Sequence, residues 1–157
     1  MEEFKEQPDQ PPPTNITVQG DATTQHQWLK EHASEALRVL HKEKYDISVL
    51  VVDDVEMARL HSQHSGIDET TDVLTFDHGS DEQSIKADIA ICVDVANREA
   101  THRGHNLENE LLLYILHGIL HCCGFDDHDE LSHQKIHKEE DRILNAIGVG
   151  VVWSNGS

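Results

Sequence analysis

The sequence predicts an α+β fold: a single compact domain with a small mixed β-sheet packed with helices. Two observations carry this. At 157 residues the chain is one domain's length. Its apolar patterns alternate between strand-like runs of four to seven residues and longer stretches of helical period, with few strands in total and no internal repeat.

In chain order, residues 1–14 end in Gln10-Pro11-Pro12-Pro13-Thr14, hold almost nothing to bury, and are expected to form a disordered tail. The folded domain is expected over 15–153. Asn15 to Gln19 is a short strand. From Thr24 to Lys42, Leu29, Ala33, Ala36, Leu37 and Leu40 fall at three- and four-residue spacing, a helix with one buried stripe. Ile47 to Val52 is nearly continuous and β-branched, which suggests a strand covered on both faces. Asp53 or Asp54 caps a short helix that Gly66 stops. Val73 to Phe76 is a strand, Asp77 to Lys86 a polar loop, and Ala87 to Val93 a strand with Ile89, Ile91 and Val93 on one side. Asp94 to His102 is a helix broken at Arg103-Gly104. Asn106 caps a long apolar helix from Leu107 to Cys123, with Glu108 and Glu110 favourable in its first turn and Gly124 at its end. A last helix runs from Asp129 to Ala146, with Leu131, Ile136, Ile143 and Leu144 as its buried side.

Composition excludes some functions. With 12 Lys+Arg against 30 Asp+Glu, the formal charge of −18 repels phosphate at long range, so a broad basic nucleic-acid footprint is ruled out while a short basic contact is not. The longest apolar stretch, Leu111 to Leu116, is far short of the roughly 20 residues a membrane span needs, so no membrane role is expected. Met1-Glu2-Glu3 begins no secretory signal, and three cysteines make no disulfide framework. The expected compartment is the cytoplasm.

Histidine is the anomaly, 13 residues of 157, with seven between His102 and His137. At that abundance a His-x-x-x-His pair arises about once by chance, so spacing alone decides little. His117/His121 and His133/His137 both have it. Residues i and i+4 of a helix differ by about 40° and 6 Å, close enough for two rings to share an ion. His117 and His121 sit among Leu112, Leu113, Leu116, Ile119 and Leu120, where buried imidazoles need partners. Gly118 leaves room for a close neighbour. Gly124 can reverse the chain and bring back Asp127, or His128 one residue later. Two helical ligands, a glycine turn and a third ligand make a zincin-like site with an open position on zinc. Relative to the metzincin signature, Gly118 replaces the glutamate base and Asp127 the third histidine. The competing reading is a pair of satisfied core histidines. The His133/His137 helix carries Gln134, Lys135, Lys138, Glu139 and Glu140 and is expected to be a solvated face. His61/His64 and His102/His105 are expected at the surface or in local hydrogen bonds, and Cys122 and Cys123 as small buried apolar residues rather than ligands.

At these residues the chain resembles the YbeY family, bacterial metal-dependent endoribonucleases of ribosomal RNA maturation. The family's HGxLHLxGYDH stands here as the eleven residues His117 to Asp127, its PTDVLSF as Thr70 to Phe76, GDI as Ala87-Asp88-Ile89 and REA as Arg98-Glu99-Ala100. The resemblance implies a mixed α/β domain resembling zincins, one Zn2+ held by His117, His121 and Asp127 (His128 being the alternative third ligand), and cleavage of single-stranded RNA. It also implies rRNA, the small ribosomal subunit and its proteins as partners in maturation and quality control. Two departures stand out: the family's third ligand is histidine, and its Tyr-Arg pair ahead of PTDVLSF falls on His64 and Ser65. Arg59, Arg98 and Arg103 are the candidate replacements for that cation. Two other functions compete: a zinc peptidase, disfavoured by Gly118, and a non-catalytic, metal-stabilised ribosome assembly factor, which the acidic charge favours.

Overall fold

A computed structural model describes residues 14–150. The expected tail over 1–13 and residues 151–153 of the expected domain lie outside them. Thr14, counted with the tail, is instead the first residue of a strand. The elements are β1 (Thr14–Gly20), α1 (His26–Val39), β2 (Lys44–Val52), α2 (Asp54–Ser65), β3 (Val73–Asp77), β4 (Ser84–Cys92), α3 (Val93–Arg103), α4 (Leu107–Cys122) and α5 (Glu130–Ala146).

The sheet has the order β1-β2-β4-β3. β1, β2 and β4 are mutually parallel, Ile16 facing Ile47 and Ile47 facing Ala87, while β3 runs antiparallel along β4 with Thr75 opposite Ile89. β3 is therefore an edge strand. α4 packs against β3, β4, α1, α3 and α5, and its Leu111–Leu116, Ile119 and Leu120 form the centre of the core. Three helix starts are set by side chains: Asp53 accepts from the Glu56 N–H, Asn106 from Asn109, and Asp129 from Ser132, at 2.8 to 2.9 Å.

Four sequence expectations are corrected. β2 is covered mainly on one face: Ile47, Val49 and Val51 are buried under the helices, whereas Ser48 is exposed and Leu50 is 40% exposed. α2 reaches only the far end of the other face, where Met57 packs with Val52, Leu74, Ala90 and Cys92. β4 begins at Ser84, inside the expected loop, because its pairing with β2 extends from Lys44–Ser84 onward. Val93 starts α3 rather than ending the strand. Leu131 is 62% exposed, since five residues from Ile136 is about 140° around a helix and off the buried stripe. Two carboxylates are fully buried: Glu140, on the α5 stripe with Ile136 and Ile143 where only apolar residues were expected, and Glu110, in the first turn of α4 where the sequence placed it.

Candidate metal centre

α4 has to pass close to the sheet for its histidines to reach the cleft at the β3 edge, and Gly118 permits this. A Cβ at position 118 would stand 2.8 Å from Thr75 Oγ1 and 3.0 Å from Ile89 Cδ1. The same crowding leaves no space for a glutamate there. After α4 the chain turns at Gly124 with φ of 100°, a conformation suited to glycine, and Phe125 N–H returns to the Leu120 carbonyl at 3.1 Å. This turn carries Asp127 back over the last turn of α4.

His117, His121 and Asp127 converge: one ligand atom from each lies within 4.8 Å of the others, and among the described residues this is the group of three so placed. His121 Nε2 is 3.0 Å from His117 Nε2, and His117 Nε2 is 3.5 Å from Asp127 Oδ2. Donors around a tetrahedral zinc with bonds of about 2.0–2.1 Å stand roughly 3.3–3.4 Å apart, so the His117–His121 and His117–Asp127 separations and the donor set fit such an ion. His128, the alternative third ligand, is exposed, outside the group, and engages Asp126 through its backbone N–H.

Behind His117 stands Glu140, whose Oε2 is 2.6 Å from His117 Nδ1. The carboxylate fixes the proton on Nδ1 and leaves Nε2 turned toward the other two donors, the usual support for a metal-binding imidazole. Burial opposes charge on His117, but the Glu140 hydrogen bond and the charges of Glu140, Asp72 and Asp127 outweigh it, so its pKa lies above the ordinary value. Burial and the neighbouring His117 hold His121 below. Burial, then Asp77, pushes the Cys122 thiol up to about 11, so Cys122 lines the cleft as a thiol while Cys123 packs against the core.

The group separates two clefts that share Asp72, His117 and Asp127. One, about 370 Å³, runs along Thr71–Thr75 of the β3 edge. The other, about 330 Å³, is bounded by Arg103, Tyr114, His133 and His137. Asp72 was missed as a site residue, although it lies within the Thr70–Phe76 motif. Its carbonyl accepts from Cys92 N–H at 3.0 Å, and its carboxylate from Val73 N–H at 2.8 Å.

Of the three candidate arginines, Arg59 pairs with Glu56 on the outer face of α2, and Arg98 pairs with Asp54 at 2.9 Å, tying α3 to α2. Arg103 alone borders a cleft containing His117 and Asp127, and it is held there by buried Glu110 and by Glu99 at 3.3 Å. His105 also contacts Glu110 at 2.5 Å. His61 and His64 make the expected local contacts, with the Glu69 carbonyl at 2.8 Å and the Phe76 ring at 4.8 Å. His133 is exposed as expected. His137 is not fully solvated: it is half-buried, and burial, followed by the charges of His133 and His117, pushes its pKa down to about 4.

No helix among the described residues is long and apolar enough to cross a membrane. The family model described as Endoribonuclease YbeY matches residues 14–148. A protein named Endoribonuclease YbeY from Staphylococcus saprophyticus is 35% identical over 144 residues, covering 87% of this chain and 92% of its own. One of the same name from Staphylococcus aureus is 33% identical over 137 residues, covering 78% and 88%. The solution structure of TM1509 from Thermotoga maritima superposes with a TM-score of 0.57 at 26% identity, over 84% of this chain and 91% of that one. With the model match spanning the whole described fold and its metal-ligand group, the chain belongs to the YbeY endoribonuclease family.

Proposed function

We propose that this protein is a zinc-dependent, single-strand-specific endoribonuclease acting in maturation of small-subunit ribosomal RNA and in ribosome quality control, in the cytoplasm. The observation that carries the reading is the convergence of His117, His121 and Asp127 within 4.8 Å, in a family whose curated members bear an endoribonuclease name. We assign these three side chains as the ligands. A divalent ion there supplies Lewis acidity, lowering the pKa of a water toward about 7 and stabilising charge on a phosphoryl oxygen.

The chain's own residues then have defined tasks. Glu140 holds the His117 proton on Nδ1 and keeps Nε2 available. The cleft along Thr71–Thr75 gives an RNA strand an approach at the sheet edge, with Asp72 at the junction of both clefts. Arg103 is the cation placed to meet phosphate on the other side. Because Gly118 leaves α4 without a glutamate, the proton acceptor lies elsewhere, and Asp126 and His128 on the loop carrying Asp127 are the candidates.

The test is purified His117→Ala/His121→Ala protein on single-stranded RNA. The reading predicts loss of cleavage by at least about a hundredfold, with the wild type silenced by chelator; undiminished cleavage would eliminate it. The formal charge of −18 favours a second reading, a non-catalytic assembly factor that binds basic ribosomal proteins. Binding to small subunits without metal-dependent turnover of RNA would select that one. The peptidase alternative is disfavoured by the contact of position 118 with Thr75 and Ile89.

A further inference from the structure

The donor set of the metal centre is mixed. Two imidazoles come from α4, and the third donor is the carboxylate of Asp127, whose Oδ2 is 3.5 Å from His117 Nε2. A third imidazole stands one residue further along the chain. His128 is nevertheless exposed and outside the group, with its backbone N–H on Asp126. The site is thus closed by an anionic oxygen although a nitrogen donor is adjacent.

Donor type bears on which ion is held. In the general affinity order of divalent ions zinc exceeds iron(II) and manganese, but imidazole suits zinc whereas carboxylate oxygen suits manganese, so a carboxylate narrows the gap. Two histidines and one carboxylate with open positions are the donor set of mononuclear iron(II) sites. Octahedral ions of this kind need room for further ligands. The group has it, standing between clefts of about 370 and 330 Å³ that both reach His117 and Asp127. Asp127 lies toward the open side, its side chain 39% exposed against 17% for His117. The charges acting on the two imidazoles from beyond the group include further carboxylates, Glu140 and Asp72 at His117 and Asp126 at His121.

We propose that Asp127 is the ion-selecting residue of this chain: by completing a two-histidine, one-carboxylate set, it lets oxygen-preferring ions of the manganese and iron(II) class compete with zinc. The inference rests on the ligand assignment made under the proposed function and not on RNA cleavage. Zinc still binds more tightly at equal concentration, so what Asp127 changes is the ratio of the two affinities.

The experiment measures binding with no RNA present, so a failed cleavage assay leaves its result standing. Full-length, metal-stripped protein without a histidine tag is titrated with Zn2+ in competition with a chromophoric chelator. Mn2+ is titrated separately, the free ion being read by electron paramagnetic resonance. His117→Ala/His121→Ala gives the background from the chain's other histidines. In Asp127→His the ratio of zinc to manganese affinity rises at least about tenfold over wild type. Asp127→Asn keeps the shape and removes the charge, and there the ratio also rises, because manganese loses its anionic oxygen. His128→Ala leaves both affinities as in wild type. A ratio unchanged or lowered in either Asp127 variant overturns the proposal; if zinc affinity has still fallen in Asp127→Asn, the ligand assignment survives that failure. If Asp127→Asn binds both ions like wild type while His128→Ala loses them, the assignment fails together with the proposal. Wild-type binding of either ion no stronger than the background overturns it as well. Far-UV circular dichroism of each variant separates altered ligands from lost fold.

Discussion

His117 reaches an ion only if its outward nitrogen is unprotonated, and Glu140 is the residue that arranges this. Replacing Glu140 with glutamine keeps a hydrogen-bond acceptor at Nδ1 and removes the charge; zinc affinity is expected to fall about 10–100-fold, measured by competition with a chromophoric chelator. The pH dependence has a definite sign. The raised pKa of His117 makes its contribution to the metal-free fold complete below the ordinary 6.5 and lost as pH rises through the raised value. Metal binding runs the other way, weakening as pH falls through that value, and in Glu140→Gln the weakening should begin at lower pH. His117 and His121 were legible from sequence because an apolar helix isolates them, and Asp127 because a glycine turn fixes its distance. Glu140 was not, since its neighbours Lys138 and Glu139 disguise it as part of a charged face. Its spacing of four from Ile136 and three from Ile143 was the available signal.

Helix α4 carries the candidate site, and its start is held by buried charge. At its start, buried Glu110 takes Arg103 and His105, both only 17% exposed. Glu110→Ala takes the buried acceptor from Arg103 and His105 and leaves Arg103 with Glu99, and is expected to cost about 1–3 kcal/mol in denaturant unfolding. Arg98→Ala removes a bridge whose partners are 56% and 39% exposed, so solvent screening keeps its effect in denaturant unfolding far smaller than that of Glu110→Ala. The hydrogen bond and charge of Arg98 also hold Asp54 below its ordinary 3.8, so the small contribution of this pair is present above that pH and lost as pH falls through the depressed value. In the middle of α4, Gly118→Ala forces Thr75 and Ile89 aside and should cost about 1–3 kcal/mol while shifting α4 from the sheet edge. Caps and periodicity made the helices readable to within two residues at most ends. The coverage of β2 was not readable, because a β-branched run has the same appearance whether one face or two are buried; Ser48 was the one polar residue inside the Ile47–Val52 run, and it continues the exposed face of Lys44 and Asp46.

At the scale of the whole molecule, a charge of −18 surrounds a site proposed to act on a polyanion. Basic nucleases lose affinity steeply with salt as phosphate contacts release counterions, whereas here added salt also screens a long-range repulsion. The apparent KM for a single-stranded RNA should therefore change little, or decrease, between about 50 and 200 mM monovalent salt. The two-layer order of the chain, with a mixed sheet and a central helix delivering ligands to its antiparallel edge, follows from local patterns that agree with each other along the sequence. The shared wall of the two clefts does not, because Asp72, His117 and Asp127 come from three segments that only tertiary packing brings together. The claim on which the account rests is that one divalent ion is bound between α4 and the loop after it. Anomalous diffraction at the zinc edge from crystals grown with zinc tests it most directly. The account predicts a strong peak about 2.0–2.2 Å from His117 Nε2, His121 Nε2 and an Asp127 carboxylate oxygen. A peak coordinated by His128 in place of Asp127, or no peak within reach of the two α4 histidines, would contradict it.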